Sequence, residues 1–356
     1  MKKLLLLALL ALLSCNLWKE KGQSGLFVVL VNDRFGYINK AGDTVISPQF
    51  DNGLNFAEGL AQVAIGEEDE KWGYIDENGT YVINPQFDET GPFSQGLAVV
   101  AQLVGDEYLY GYINPTGKKV IEPQFREARD FSEGRAAVYA EANGKAGYID
   151  KNGTIVVGPQ YADAYDFSEG LGCVRGDDDK SGFVDKNGKL VIARQFDGAR
   201  GFSEGLALVT VGGKCGYIDK AGAMVVNPQY EAGGDFSEGL AAVKAKVGDD
   251  ELYGYIDATG KMVISPQFGW ALEFTAEQLA AVSVGDRWGY IDKTGKLIIN
   301  PQFDLAFSFA EGLAFVVTAD QYGYIDKAGK YVWGPVNGGA ALQRAKEQWT
   351  TERSRR

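Results

Sequence analysis

One carboxylate recurs in turns of the Phe-Ser-Glu-Gly type, at Glu58, Glu133, Glu169, Glu204, Glu238 and Glu311, with Gln95 in one copy and a shifted Glu277 in another. A glycosidase of the paired-carboxylate kind needs two acids at one site. Here the acids are spread one per copy and one is replaced by glutamine, so a turn role is expected. A second set forms runs: Glu67, Glu68, Asp69 and Glu70; Asp106 and Glu107; Asp177, Asp178 and Asp179; Asp249, Asp250 and Glu251. Clustered carboxylate oxygens suit hard cations such as Ca²⁺, and a row of them also suits a basic partner. A solvated hairpin turn explains the same residues without a ligand. No run carries the Asp-x-Asp-x-Asp-Gly spacing with a distant Glu, so Ca²⁺ binding here is at best weak and no dedicated metal site or cofactor is assigned.

The chain contains no histidine, which excludes Ser-His-Asp and Cys-His catalysis and histidine metal ligation. Cys173 and Cys215 fall in different repeats, so a disulfide would require a chance approach of their α-carbons to within about 7 Å. They are expected to be small buried apolar residues. With 35 Lys and Arg against 48 Asp and Glu, the 356-residue chain carries a formal charge of −13, the wrong sign for a nucleic-acid surface.

The elements that must position these residues are nine copies of one unit. Gly-Tyr, once Gly-Phe, begins at Gly36, Gly73, Gly111, Gly147, Gly182, Gly216, Gly254, Gly289 and Gly323, spacings of 34 to 38 residues that signal a repeat architecture. Each copy reads as three short strands, typified by Gly96–Val100, Lys71–Asp76 and Thr80–Ile83. Each is rich in β-branched and aromatic residues and bounded by turn residues. The second and third are joined by Asx-x-x-Gly in all nine copies, as in Asp76-Glu77-Asn78-Gly79. The Asx supplies an acceptor and the Gly a left-handed residue, so these aspartates are structural. Eight connectors follow, each with a recurrent glutamine from Gln49 to Gln302, and each with a preceding proline except where Arg194 stands. Proline is expected to end the third strand, and the glutamine to satisfy backbone groups of an irregular segment. Two aromatics per connector, such as Phe50 and Phe56, are expected to bury against neighbouring copies.

The phase of the repeat predicts an all-β tandem array of nine three-stranded meanders over residues 25–336. Because no unit is split between the termini, an open, curved, solenoid-like array is expected, with a closed propeller-like ring as the alternative. Residues 337–356 form a tail in which Ala340–Gln348 predicts a short polar helix.

The order Gly-Tyr-Ile-Asp, Asp-x-x-Gly, Val-Ile-x-Pro-Gln-Phe and Phe-Ser-Glu-Gly-Leu-Ala is similar to bacterial WG-repeat (KWG-repeat) proteins. The tryptophan of that name survives only at Trp72 and Trp288. The resemblance implies a β-repeat scaffold that mediates interactions and transfers no catalytic residue. At the N-terminus, Lys2 and Lys3 precede ten apolar residues, too few to span a bilayer. The following Leu12-Leu13-Ser14-Cys15 resembles the lipobox of bacterial lipoproteins, which implies a signal peptide over residues 1–14, lipidation of Cys15 and a tether over residues 15–24. Loss of Lys2 and Lys3 leaves 33 bases against 48 acids, a formal −15. The expectation is a non-enzymatic, lipid-anchored protein of the bacterial cell envelope. It would act as a protein-protein interaction scaffold for an unidentified partner, a basic one where the acidic runs are its site, on the periplasmic or surface face. A polysaccharide-binding protein or enzyme and a mechanical spacer are the alternatives.

Overall fold

The structure, a computed structural model, describes residues 24–66, 69–139 and 144–338. The signal segment with Cys15, the residues Glu67 and Glu68, and the expected tail helix lie outside them. The described residues form nine antiparallel sheets arranged as the blades of a β-propeller: residues 26–50, 52–87, 89–125, 127–161, 163–196, 198–230, 232–268, 270–303 and 305–337 for blades 1 to 9. Among the described residues no helix is long and apolar enough to cross a membrane.

Eight blades have four strands, not three. The extra strand is the connector itself, for example Asn52–Ala57 in blade 2 and the two-residue Glu127–Ala128 in blade 4. It pairs with the strand that follows it, in seven blades through a Glu-Gly or Gln-Gly turn in which both residues take positive φ, such as Glu133 at +52° and Gly134 at +81°, and in blade 8 through a turn where Gln278 alone does so, before Leu279. That is the hairpin geometry whose twist matches the strands. Blade 1 lacks the extra strand and has Leu26–Val31, Arg34–Asn39 and Thr44–Phe50 alone.

The last strand of each blade also departs from expectation. It runs through its proline to the Phe or Tyr beyond, as in Thr44–Phe50, instead of ending there. Its alternating burial marks the blade's outer edge, where a missing N–H is tolerated. In register with the neighbouring strand, Phe35 pairs with Phe50 and Tyr37 with Ile46, so the proline sits in a bulge. The recurrent glutamine clips that bulge: Gln86 Nε2 donates to Asn84 O and Gln124 Nε2 to Glu122 O, both at 3.2 Å. The bulge also explains the glycine of Gly-Tyr. A Cβ on Gly147 would stand 2.3 Å from Val157 O, so the outer strand passes where any side chain would be.

Blades are joined by one repeated contact. The tyrosine of the third strand is fully buried and stacks edge-on or tilted against the connector phenylalanine of the next blade, with centroids 4.8 to 5.0 Å apart, as in Tyr37–Phe56 and Tyr290–Phe309. Its hydroxyl donates to a connector carbonyl of the same next blade, for example Tyr148 to Tyr165 O at 2.7 Å and Tyr217 to Gly234 O at 2.7 Å. Phe183 is the copy without a hydroxyl and keeps only the ring contact, with Phe202.

The same contact closes the ring, and the open array is therefore corrected. Tyr324 of blade 9 packs against Phe27 of blade 1 at 5.4 Å and donates to Val28 O at 2.9 Å, while Tyr322 donates to Leu30 O. Val28 and Leu30 occupy the places whose carbonyls, in other blades, accept N–H groups from the connector strand, such as Ala137 O from Arg129 N. The position of Phe27 is alanine or glycine in every other first-type strand: Ala61, Ala98, Ala136, Gly172, Ala207, Ala241, Ala280 and Ala314. A small residue there leaves room for the connector phenylalanine. Blade 1 has no connector, and Phe27 fills the space from its own strand. The unsplit phase does not signal an open array, because the seam is closed by side chains rather than by a borrowed strand.

Gly147→Val is expected to destabilise the protein by about 3 kcal/mol or more, since backbone rather than a movable side chain must give way. Gly158→Ala, with nothing within 4 Å of the added Cβ, is expected to change stability by less than about 0.5 kcal/mol. Denaturant unfolding of both variants checks this, and equal midpoints would refute the close-approach explanation.

Candidate functional site

Antiparallel blades present two faces. On one lie the Glu-Gly turns and the Asx-x-x-Gly turns, and nearly all their polar groups are spent on neighbouring blades. Glu58 accepts from Gln95 N at 2.6 Å and Gly96 N at 2.8 Å, and Glu204 from Gly239 N at 2.8 Å. The lysine after the Asx of the next blade joins the clasp, in Lys186–Glu133 at 3.0 Å, Lys220–Glu169 at 2.9 Å and, across the seam, Lys40–Glu311 at 2.9 Å. Where a serine precedes the glutamate it donates to the next blade's phenylalanine carbonyl, as Ser132 Oγ does to Phe167 O at 2.6 Å, whereas Glu58 and Glu311 follow alanine. The turn role expected for the glutamates is thus met, with an inter-blade clasp added to it.

The Asx residues serve their own hairpins. Asp150 Oδ1 accepts from Asn152 N and Thr154 N, both at 2.9 Å, and the Thr154 N–H foremost among these bonds holds the carboxyl below the usual carboxylate range. Asp76 is held down in the same way.

The opposite face carries the hairpins with the acidic runs, and much of their charge is already matched. Asp177 pairs with Lys145 of the preceding blade, Asp178 with Arg194 at 2.6 Å, and Asp179 with Arg175 at 2.8 Å. Arg194 replaces the proline of the repeat, so the departure in the fifth connector and the triple aspartate form one pair. Glu107 meets Arg126 at 2.9 Å and Glu251 meets Lys244 at 2.8 Å. Asp69, Asp249 and Asp250 are exposed. Glu70 is half-buried, and loss of water raises its carboxyl above the usual range, with Asn52 opposing and Asp51 adding to the effect. These loops lie on blades 2, 3, 5 and 7 and do not converge. Among the described residues no group of three acidic or thiol side chains is placed to hold a metal ion.

Another carboxylate on this face was not singled out by the sequence reading. The acid after Pro-Gln-Phe pairs with a base 17 residues earlier and accepts from the next blade's hairpin: Asp51 takes Arg34 and Gly66 N (3.0 Å), Asp88 takes Lys71 and Leu103 N (3.2 Å), and Asp304 takes Arg287 and Ala319 N (2.7 Å). The constant interval of 17 was its signal. Cys173 and Cys215 are buried free thiols, as expected, and burial pushes the Cys173 thiol up to about 12.

Between blades 3, 4 and 5 a cleft of about 250 Å³ is lined by Glu89, Tyr110, Arg129, Asp130 and Asp166, together with the small residues Gly91, Ala101 and Ala128. It lies along the connector strands, on the edge opposite the exposed outer strands. Tyr110 donates to Glu89 at 2.7 Å, and the Arg129 guanidinium lies 5.1 Å over the ring of Tyr165. Asp166 is exposed at the mouth, yet the surrounding walls withdraw enough water to raise its carboxyl above the usual range, with Arg129 pulling the other way. Apart from Tyr110, which lies in the strand Glu107–Ile113, the polar residues of the cleft fall at connector positions that vary between copies, so repetition gave no sign of them.

The sequence profile of the WG containing repeat matches eight segments of the chain: residues 35–67, 72–102, 110–141, 147–180, 182–215, 216–246, 253–288 and 288–320. No curated protein sequence matches. Among solved structures, a eukaryotic initiation factor is similar in fold with a TM-score of 0.62 and 12% identity, over 86% of this chain and 94% of that one. AztD of Citrobacter koseri (TM-score 0.42, 14% identity, 86% of this chain and 92% of that one) and BamB of Moraxella catarrhalis (0.40, 12%, 84% and 95%) also align.

The Asx geometry gives a pH prediction. A carboxyl whose folded pKa is depressed adds stability that is present above its ordinary value, about 3.9, and lost as pH falls through the folded value. Stability should therefore drop below about pH 4. In Asp150→Asn the drop should be smaller, because the amide oxygen accepts the same two N–H groups, as Asn39 does from Ala41 N and Asp43 N at 2.9 Å. Asp150→Ala should melt lower than both at pH 7. Thermal melts from pH 2.5 to 7 check this, and identical pH profiles for parent and Asp150→Asn would refute it.

Proposed function

The chain belongs to the WG-repeat family, and from that premise we propose that it is a lipid-anchored envelope propeller acting as a protein-protein interaction scaffold rather than as an enzyme. The observation that carries this reading is the composition of the hairpin face. Its loops differ from blade to blade, while the residues that recur are consumed in clasps between blades. Apolar side chains stand exposed at the hairpin tips beside the acidic runs, notably Leu103 (55%), Val104 (49%) and Tyr108 (55%) in blade 3, with Ile65, Val247 and Val284 in blades 2, 7 and 8. Exposed apolar groups interspersed with charge are the marks of a surface that takes a protein partner. The acids with no matching base in their own loop, such as Asp249 and Asp250, favour a partner of basic character. Cys15 supplies the anchor in this reading, because several acyl chains hold a protein at a membrane where one does not.

The saccharide alternative has one observation in its favour: the half-buried rings of Tyr253 and Trp270 stack at 5.6 Å with an interplanar angle of 29°.

Capture from an envelope extract tests the scaffold reading. The parent mature chain should enrich a specific protein, and that enrichment should weaken as salt shortens the Debye length from about 10 Å at 0.1 M. A variant with Asp69, Glu70, Asp249 and Asp250 changed to Asn or Gln should keep its fold and lose the salt dependence. Changes at Asp177, Asp178 and Asp179 should matter less to capture and more to stability, since all three are already paired. Equal capture by parent and variant at both low and high salt would reject the acidic hairpins as the binding face. For the anchor, Cys15→Ser should abolish acyl labelling, and labelled mature protein in that variant would reject it.

A further inference from the structure

The outer strand of blade 9, Tyr331–Asn337, departs from the other eight outer strands. In each of those eight the third residue, from Ile46 to Ile299, is only 3–4% exposed. Its cover is the glycine of the next blade's Asx turn. A Cβ on Gly79 would stand 3.0 Å from Ile46 Cγ2, and one on Gly329 would stand 3.2 Å from Ile299 Cγ2. The strand then ends on a buried aromatic residue, Phe50 in blade 1 and Phe303 in blade 8.

Blade 9 keeps neither arrangement. Its third residue is Trp333, half-buried, and the turn glycine across the seam lies elsewhere: a Cβ on Gly42 would stand 2.3 Å from Val332 O and 3.3 Å from Val332 Cγ1. The closing aromatic is replaced by Asn337, which is exposed, while Val336 stands opposite Tyr322 and is half-buried. Trp333 packs against Tyr322 at 5.8 Å and Tyr324 at 6.4 Å, and the rest of its ring faces outward. The blade that closes the ring therefore carries an apolar outer strand without the cover that the repeat provides elsewhere.

The chain holds a segment of matching chemistry directly after this strand. Gly338 N donates to Asp320 O at 2.8 Å, which fixes the exit beside the strand's end. A second glycine, Gly339, follows, and glycine permits the reversal needed to fold back. In residues 340–349 the apolar residues Ala341, Leu342, Ala345 and Trp349 recur at helical spacing, with polar residues such as Arg344 and Lys346 between them. A helix of ten residues is marginal by itself in water and forms where its apolar stripe has a surface to lie on. It spans about 15 Å, against about 23 Å for the seven residues of the strand. Folded back from Gly339, it reaches past Val336 to Trp333. Charge favours the same occupant, for residues 339–356 hold five bases against two acids in a chain of formal charge −13.

We propose that residues 340–349 dock as an amphipathic helix on the outer strand of blade 9, with Leu342 and Trp349 covering Val336 and Trp333. The docked helix closes the seam from outside and withholds this edge from a second copy of the chain, to which a bare apolar edge strand is open. The contact is separate from the hairpin face, so its test does not depend on the scaffold reading.

Hydrogen exchange of the full mature chain, read by mass spectrometry at pH 7, tests it. Amides of residues 342–349 should exchange at least about tenfold more slowly than in a free peptide of the same sequence. Leu342→Asp combined with Trp349→Asp should remove that slowing and also speed exchange in Tyr331–Asn337. From the other side, Trp333→Ser should release residues 342–349, and Val336→Asp makes the same test should the Trp333 variant melt as unfolded. Leu103→Asp, on the hairpin face of blade 3, should change neither segment. Sedimentation velocity identifies the occupant, and a monomer with slowed exchange in 342–349 is expected. A dimer in which Tyr331–Asn337 is protected and 342–349 is not would assign the edge to a second copy and overturn the proposal. Exchange of 342–349 at the peptide rate in the parent, or slowing that survives in the folded strand variants, would overturn it as well.

Discussion

Eight of the nine interfaces of this ring depend on one buried tyrosine that reaches out of its own blade, and the ninth keeps the ring contact through Phe183. The tyrosine ring packs on a phenylalanine of the next blade and its hydroxyl meets a connector carbonyl there, 17 residues further along the chain. An aromatic pair of this kind adds about 0.5–1.5 kcal/mol beyond the area it buries, and the hydrogen bond a net contribution of about 1 kcal/mol. More important is what the hydroxyl demands. Its partner must lie at a fixed position on the adjacent blade, so the contact sets position as well as contributing energy. Burial raises the phenol far above its ordinary pKa, and Tyr255 and Tyr290 remain neutral donors throughout the physiological range. Other recurrent features follow from keeping this contact in place. The glycine of Gly-Tyr lets the outer strand close over the back of the tyrosine strand. The alanine of Gly-Leu-Ala leaves space for the phenylalanine. The glutamate and serine fasten the turn that carries it.

The seam shows how far the requirement reaches. Blade 1 has no connector, yet Tyr324 still finds an aromatic ring and a carbonyl, from Phe27 and Val28. The core at this interface is correspondingly large, drawing Leu305, Phe307 and Phe315 of blade 9 against Phe27, Val29 and Phe35 of blade 1. Closure here is made by side chains of blades 1 and 9 alone.

What the sequence disclosed and what it hid divide along physical lines. Strand runs, Asx turns and the buried cysteines were legible, because each depends on local chemistry repeated nine times. The fourth strand was not, since two paired residues such as Glu127 and Ala128 leave no periodicity. Ring closure stood only as the alternative for a different reason: its mark is a single exception, Phe27 where every other copy has alanine or glycine, and one exception is visible only once the rule is understood. The acidic runs were read correctly as hairpin loops. Their charge was overestimated, because Lys145, Arg194 and Arg175 meet Asp177, Asp178 and Asp179 from positions that no short motif connects. The cleft at Arg129 was invisible for the same reason, being assembled from three blades at positions where the copies disagree.

Small-angle X-ray scattering of residues 24–338, compared with the same segment carrying Phe27→Ala, tests closure of the ring most directly. The account predicts a compact particle with a radius of gyration near the value for a globular chain of this length, about 20 Å, and an expanded, asymmetric or less stable particle for the variant. An extended profile for the parent, or a variant that matches it in both shape and melting temperature, would contradict the claim that blade 9 closes on Phe27.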